Sequence, residues 1–222
     1  PQFFARAEGA HLWDVDGRRF VDLMCAWGPN LLGYNHPEVE AAADRQRRLG
    51  DCFNGPAPAM VELAELLVDT LPHADWAMFQ KNGTDATTTC VTIARAATAR
   101  RKVLVAQGAY HGAVPWCSPS VLGVVAEDRA HLLHYEYNDP DSLREAARAA
   151  GGDLACVVAS AFRHDVGRDQ ELPTAEFAQA AREVCDAAGA ALALDEVRAG
   201  FRLDLRGSWH RLGVRPDLCA WS

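Results

Sequence analysis

The sequence predicts an α/β protein, a mostly parallel sheet covered by helices, preceded by part of a small N-terminal α+β domain. Two observations carry the main part. Helical stretches alternate with strand-length apolar runs from about residue 84 onward, the pattern of a parallel sheet with helical crossovers. The runs at 103–106, 154–159 and 190–194 are almost wholly apolar, as strands buried on both faces must be. A third observation sets the first thirty or so residues apart: short segments there flank a tight turn, which reads as a small meander.

Taken in order, His11-Leu12-Trp13-Asp14-Val15 and Arg18-Arg19-Phe20-Val21-Asp22-Leu23 flank Asp16-Gly17, a strong hairpin signal. Asp14-x-Asp16-Gly17 also matches the start of a calcium loop, but the remaining ligand positions are missing, so the turn reading stands. Residues 37–49 and 58–71 read as helices, the second with Val61, Ala64, Leu67, Val68 and Leu71 on one face. A helix follows Thr84, another follows Pro140 with Asp139 as N-cap, and a third follows Pro173-Thr174 with Thr174 as N-cap. Gly151 and Gly189 stop the last two. This places the small domain and a linking helix at 1–50 and most of a larger domain at 51–222.

The charge of -8 over 222 residues argues against nucleic-acid or anionic-membrane surfaces, which need clustered Lys and Arg. Seven scattered cysteines without a Cys-x-x-Cys pair fit free thiols in a reducing cytoplasm. No segment is long and apolar enough to span a bilayer. His131 and His134 lack the companions a metal site needs, so none is expected.

Two segments carry chemistry. Lys81-Asn82-Gly83-Thr84-Asp85-Ala86 is a glycine turn opening into a helix. A helix start of that kind suits an anion, because its first N-H groups lack intrahelical acceptors and sit at the positive end of the dipole. Gly83 permits close approach and Thr84 adds a hydroxyl, although a plain capped helix has the same signature. Ala190-Ala191-Leu192-Ala193-Leu194-Asp195 is an apolar strand delivering a carboxylate at its C-terminal end, the edge where parallel α/β sheets bind ligands.

Asn82-Gly83-Thr84-Asp85-Ala86, Ala109-Tyr110-His111-Gly112 and Asp195-Glu196-Val197-x-x-Gly200-Phe201-Arg202, in that order, resemble the class III pyridoxal-phosphate-dependent aminotransferases. Glu8-Gly9-Ala10-x-Leu12-Trp13-Asp14-Val15-Asp16-Gly17 and Ala26-Trp27-Gly28-Pro29 look like the glutamate-1-semialdehyde aminomutase branch. The resemblance implies the fold type I architecture, pyridoxal 5'-phosphate as cofactor, and an amine or amino acid with a keto or aldehyde partner as substrates. It also implies a homodimer. Gly83 and Thr84 would hold the cofactor phosphate, Tyr110 and Val197 would close the two ring faces, and Asp195 would be catalytic, pairing with the pyridine nitrogen. Trp27 would line the substrate pocket, with plain core packing as the alternative. His111 leaves two readings open, a cofactor-side hydrogen bond or a structural histidine. Transamination is the leading function; an intramolecular amino shift, or a non-catalytic relative, are the alternatives.

The sequence departs from that family in two places. Relatives usually continue the strand at 157–158 into Glu-Pro and a Gly-rich turn, whereas this chain reads Ala159-Ser160-Ala161-Phe162-Arg163-His164-Asp165. A changed substrate is expected, with two readings of Arg163 open: a carboxylate anchor through its bidentate fork, or a solvated surface arginine. The Schiff-base lysine of the family is expected immediately after Ser222, since Lys81 and Lys102 are the only lysines and neither holds the matching place. The sequence therefore reads as part of a longer chain.

Overall fold

The computed structural model describes residues 2–165 and 167–222, and the chain divides into two compact units between Leu63 and Ala64. In the first, β1 (Phe4–Glu8), β2 (His11–Asp14) and β3 (Arg19–Val21) form an antiparallel sheet in sequence order. Its tight turn is held by Asp14, whose Oδ1 accepts from the Asp16 and Arg18 amides at 3.0 and 2.9 Å while Oδ2 accepts from Arg18 Nε at 2.7 Å. Both oxygens of Asp14 are thus committed to the turn. Helix α1 (Pro37–Leu49) starts on proline and stops at Gly50 (φ 115°), following the rule that proline suits a first turn and glycine the exit.

Helix α2 (Pro58–Thr70) runs across the division. The second unit holds α3 (Gly83–Thr98), β4 (Lys102–Ala106), β5 (Leu132–Tyr135), α4 (Pro140–Ala150), β6 (Leu154–Ser160), α5 (Ala175–Ala188), β7 (Ala191–Asp195) and β8 (Leu218–Ala220). Its sheet has the order β5-β4-β6-β7-β8 with every neighbouring pair parallel. Asp139 accepts from the Asp141 and Ser142 amides, and Thr174 Oγ1 from the Phe177 amide, so both expected caps form.

The alternation of side chains along each strand divides the core in two. On one face Leu104, Val157, Leu192 and Leu194 pack with Leu143 of α4 and Phe177 and Ala181 of α5. On the other Val103, Val105, Cys156, Val158 and Ala193 pack with Val91 and Ala94 of α3. Phe177 is fully buried and meets Tyr137 and Trp209 at ring-centroid distances of 5.0 and 6.1 Å, so truncating it to alanine would cost about 3–5 kcal/mol. By the same alternation Ser160 and Asp195, at the C-terminal ends of β6 and β7, lie on the α3 face.

Candidate active site

The C-terminal edge of this sheet gathers the predicted residues of the second unit. In the pairing of β6 with β7, Ser160 is the register partner of Asp195, and Ala220 of β8 is its partner on the other side. Asp195 is buried at 8% exposure. Its Oδ2 lies 2.7 Å from His111 Nδ1 and its Oδ1 accepts from the Val197 amide at 3.0 Å. A carboxylate has about four lone-pair sites, so each oxygen keeps acceptor capacity.

His111 sits five residues beyond the end of β4, and its main chain is fixed from both sides. Its amide donates to the Cys117 carbonyl at 2.8 Å, and its carbonyl accepts from Thr87 Oγ1 of α3 at 2.6 Å. Sequence reasoning left His111 between two roles. The structure puts it directly on Asp195, a contact that spacing along the chain could not reveal because 84 residues separate the two.

Helix α3 begins as expected. Asn82 is the N-cap, its Oδ1 accepting from the Asp85 amide at 3.0 Å, which leaves the Gly83 and Thr84 amides without intrahelical acceptors. A Cβ on Gly83 would stand 3.0 Å from Val197 Cγ1, so helix start and strand exit are in close contact and a side chain there would require Val197 to give by a few tenths of an ångström. Thr84 Oγ1 accepts from the Ala113 amide at 3.1 Å, which leaves its proton to donate. Gly112, singled out only as part of a motif, has a precise steric role: a Cβ there would fall 2.7 Å from Thr84 Oγ1 and 2.9 Å from Cys117 Sγ, at a φ of 144°.

Tyr110 precedes His111 and is 45% exposed, so its ring is available at the edge. Trp27 belongs to the first unit, at 68% exposure, in a run where Cys25, Ala26 and Trp27 all have positive φ (50°, 52° and 67°). Such backbone costs energy for residues with a Cβ, and runs of it are found where a loop is shaped for a purpose.

Arg163 departs from expectation. Its Nε pairs with Asp165 Oδ2 at 2.9 Å and its NH1 lies 3.6 Å from Glu171 Oε2, while its main chain pairs with that of Glu171 in both directions. The guanidinium expected to receive a substrate carboxylate is buried and already faces two carboxylates of its own loop. The fork therefore holds the loop together.

Two further side chains near the edge were missed. Glu196 is fully buried, with Oε1 accepting from the Ser208 amide at 2.6 Å and Oε2 from its hydroxyl; burial pushes its acid strength down, so its pKa lies above the ordinary carboxylate value. His164, in the departing loop, is held below the ordinary histidine pKa by burial and by Arg198. Lys102 Nζ donates to the Ala149 and Ala150 carbonyls at 3.3 and 3.0 Å, which occupies it at the end of α4.

A parallel sheet with a carboxylate at the end of one strand and an open helix start beside it is the fold type I α/β architecture of pyridoxal-phosphate-dependent transaminases. The model of the family "Aminotransferase class-III" matches residues 1–222, and the chain belongs to that family. It is 55% identical over 221 residues to an aminopentol aminotransferase of Sphingopyxis macrogoltabida, an alignment covering 100% of this chain and 52% of the relative. It is 36% identical to a glutamate-1-semialdehyde 2,1-aminomutase of Bordetella avium (strain 197N), covering 98% of this chain and 53% of that one. The FumI protein of Sphingopyxis sp. MTA144, solved in its PLP internal aldimine form, superposes with a TM-score of 0.96 at 54% identity, over 99% of this chain and 53% of that structure. The chain spans about half the length of the curated relatives it matches.

Proposed function

We propose that the protein is a pyridoxal-phosphate-dependent aminotransferase that moves an amino group between an amine or amino acid and a carbonyl compound, and that this chain supplies its cofactor cradle. The observation that carries the reading is Asp195, buried at the end of β7 and fixed through both oxygens by His111 and the Val197 amide. The likeness to the aminopentol aminotransferase favours an amine as donor.

The residues fit the cofactor. A carboxylate with spare lone pairs at a strand end suits a protonated ring nitrogen, and an amide-lined helix start with a free hydroxyl proton suits a phosphate. When bound, pyridoxal phosphate supplies the electron sink that lets a carbon bearing an amino group lose its proton. Gly83 and Thr84 would hold the phosphate through their amides and the Thr84 hydroxyl. Asp195 would hold the proton on the ring nitrogen by placing a negative charge beside it. Tyr110 and Val197 would flank the ring. Arg163 would shape the neighbouring loop through Asp165 and Glu171.

A homodimer in the cytoplasm completes the proposal; seven unbridged cysteines suit a reducing compartment. The test is an amino-exchange assay of the full-length protein with an aminopentol or simple amine donor and a separate keto acceptor. Acceptor-dependent turnover supports the reading. Turnover of an aminoaldehyde with no added acceptor would replace it by the intramolecular shift.

A further inference from the structure

The order of strands makes His111 cross over β6 to reach Asp195. His111 follows β4, Asp195 ends β7, and β6 lies between them in the sheet. The β6 residue in register with Asp195 is Ser160, and both lie on the face that packs against α3. Neighbouring strands are about 4.8 Å apart, so an imidazole that reaches Asp195 from the β4 side spans the line of β6, whose residue at that level is Ser160.

Two polar atoms there are buried without a hydrogen-bond partner: His111 Nε2 and Ser160 Oγ. Residue exposures are 3% for His111 and 2% for Ser160, so bulk water does not serve them. The chemistry of the pair is complementary. A carboxylate only accepts, so the contact with Asp195 Oδ2 places a proton on His111 Nδ1, and in the neutral ring Nε2 is then an acceptor that needs a donor. The serine hydroxyl is a donor whose oxygen moves among three staggered positions without moving the main chain. The main chains on both sides are fixed: His111 by Cys117 and Thr87, and Ser160 by its strand and by Tyr137, whose hydroxyl donates to the Ser160 carbonyl at 3.2 Å. Side-chain rotation is the freedom left.

We infer that Ser160 donates its hydroxyl proton to His111 Nε2, so that Ser160, His111 and Asp195 form one hydrogen-bonded chain that fixes the imidazole tautomer behind the carboxylate. Ser160 and His111 are positioning residues in this scheme. Neither touches the reacting atoms; each sets the orientation of Asp195, and through it the cofactor's ring nitrogen. That last link rests on the proposed function, whereas the chain of three side chains does not.

The test separates the two. In full-length protein labelled with ¹⁵N-histidine and freed of cofactor, the His111 nitrogens report protonation and hydrogen bonding directly. The inference expects Nδ1 protonated and Nε2 unprotonated at a hydrogen-bonded shift. Ser160→Ala should move Nε2 toward the shift of an unbonded nitrogen with Nδ1 unchanged, and Ser160→Thr, which keeps the hydroxyl, should restore it. A proton on Nε2 in the wild-type protein, or an Nε2 resonance that Ser160→Ala leaves in place, would overturn the inference. In the loaded enzyme Ser160→Ala should lower kcat about fivefold, the worth of one neutral hydrogen bond, with KM unchanged and rescue by threonine. If the full-length protein takes up no pyridoxal phosphate, the proposed function fails while the resonance experiment still decides the side-chain chain.

Discussion

Two adjacent strand exits in one sheet are built by different means. At the end of β7, Asp195 is fixed by a histidine from another loop and by the main chain two residues on, and the next turn packs Val197 against Gly83. At the end of β6, the loop through Asp165 is fixed by its own ion pairs, Arg163 with Asp165 and Glu171. The first exit draws its geometry from three parts of the chain, so it tolerates little change. From Arg163 onward the second is closed on itself, so changes there should disturb the cradle less, whereas Ser160, in register with Asp195, belongs with the first exit.

The largest expected effect falls on the first exit. Asp195→Ala in the full-length enzyme should lower kcat on the order of a thousandfold, the cost of removing a preorganised charge, while the melting temperature stays within a few degrees. A loss under tenfold would place the catalytic charge elsewhere. Next, Gly112→Ala would force a methyl against Thr84 Oγ1 and Cys117 Sγ in a left-handed backbone, and urea unfolding should register a loss of about 3 kcal/mol. An unchanged midpoint would mean that the loop and helix start shift freely.

The second exit should respond in another way. Arg163→Ala would leave Asp165, whose side chain is 10% exposed, facing Glu171 without its cation, so stability should fall by about 2–3 kcal/mol. Activity on carboxylated and uncarboxylated amines should fall by equal factors. A loss confined to the carboxylated amine would restore the anchor role. The smallest effect belongs to neither exit: Thr174→Ala removes the cap of α5, on the opposite layer, and should cost about 1 kcal/mol in urea unfolding with kcat unaltered.

Much of this architecture was legible in the sequence because local chemistry specified it. The caps at Asp139 and Thr174, the glycine exits at Gly151 and Gly189, and the apolar runs of β4, β6 and β7 are each set by a few neighbouring residues. Strands β5 and β8 were harder. They flank the sheet, are only four and three residues long and are only partly buried, too short to give a strand-length signal. Within the site, Gly83, Thr84 and Asp195 stood out because a helix start and a strand end have local signatures. The His111 contact with Asp195, the fit of Gly112 against Thr84 and the closure of Arg163 on Glu171 depend on elements far apart or on a folded loop. The sequence offered Arg163 as a carboxylate anchor; its pairing with Asp165 and Glu171 depends on the folded loop.

The most direct measurement of the central claim is a titration of the cofactor-free, full-length protein with pyridoxal phosphate, followed by visible absorbance and repeated with Asp195→Ala and Thr84→Ala. The wild-type protein should bind saturably, Asp195→Ala should show a changed absorbance because the ring nitrogen loses its partner, and Thr84→Ala should bind about tenfold more weakly because the phosphate loses one donor. Absence of saturable binding, or binding that both substitutions leave unchanged, would contradict it.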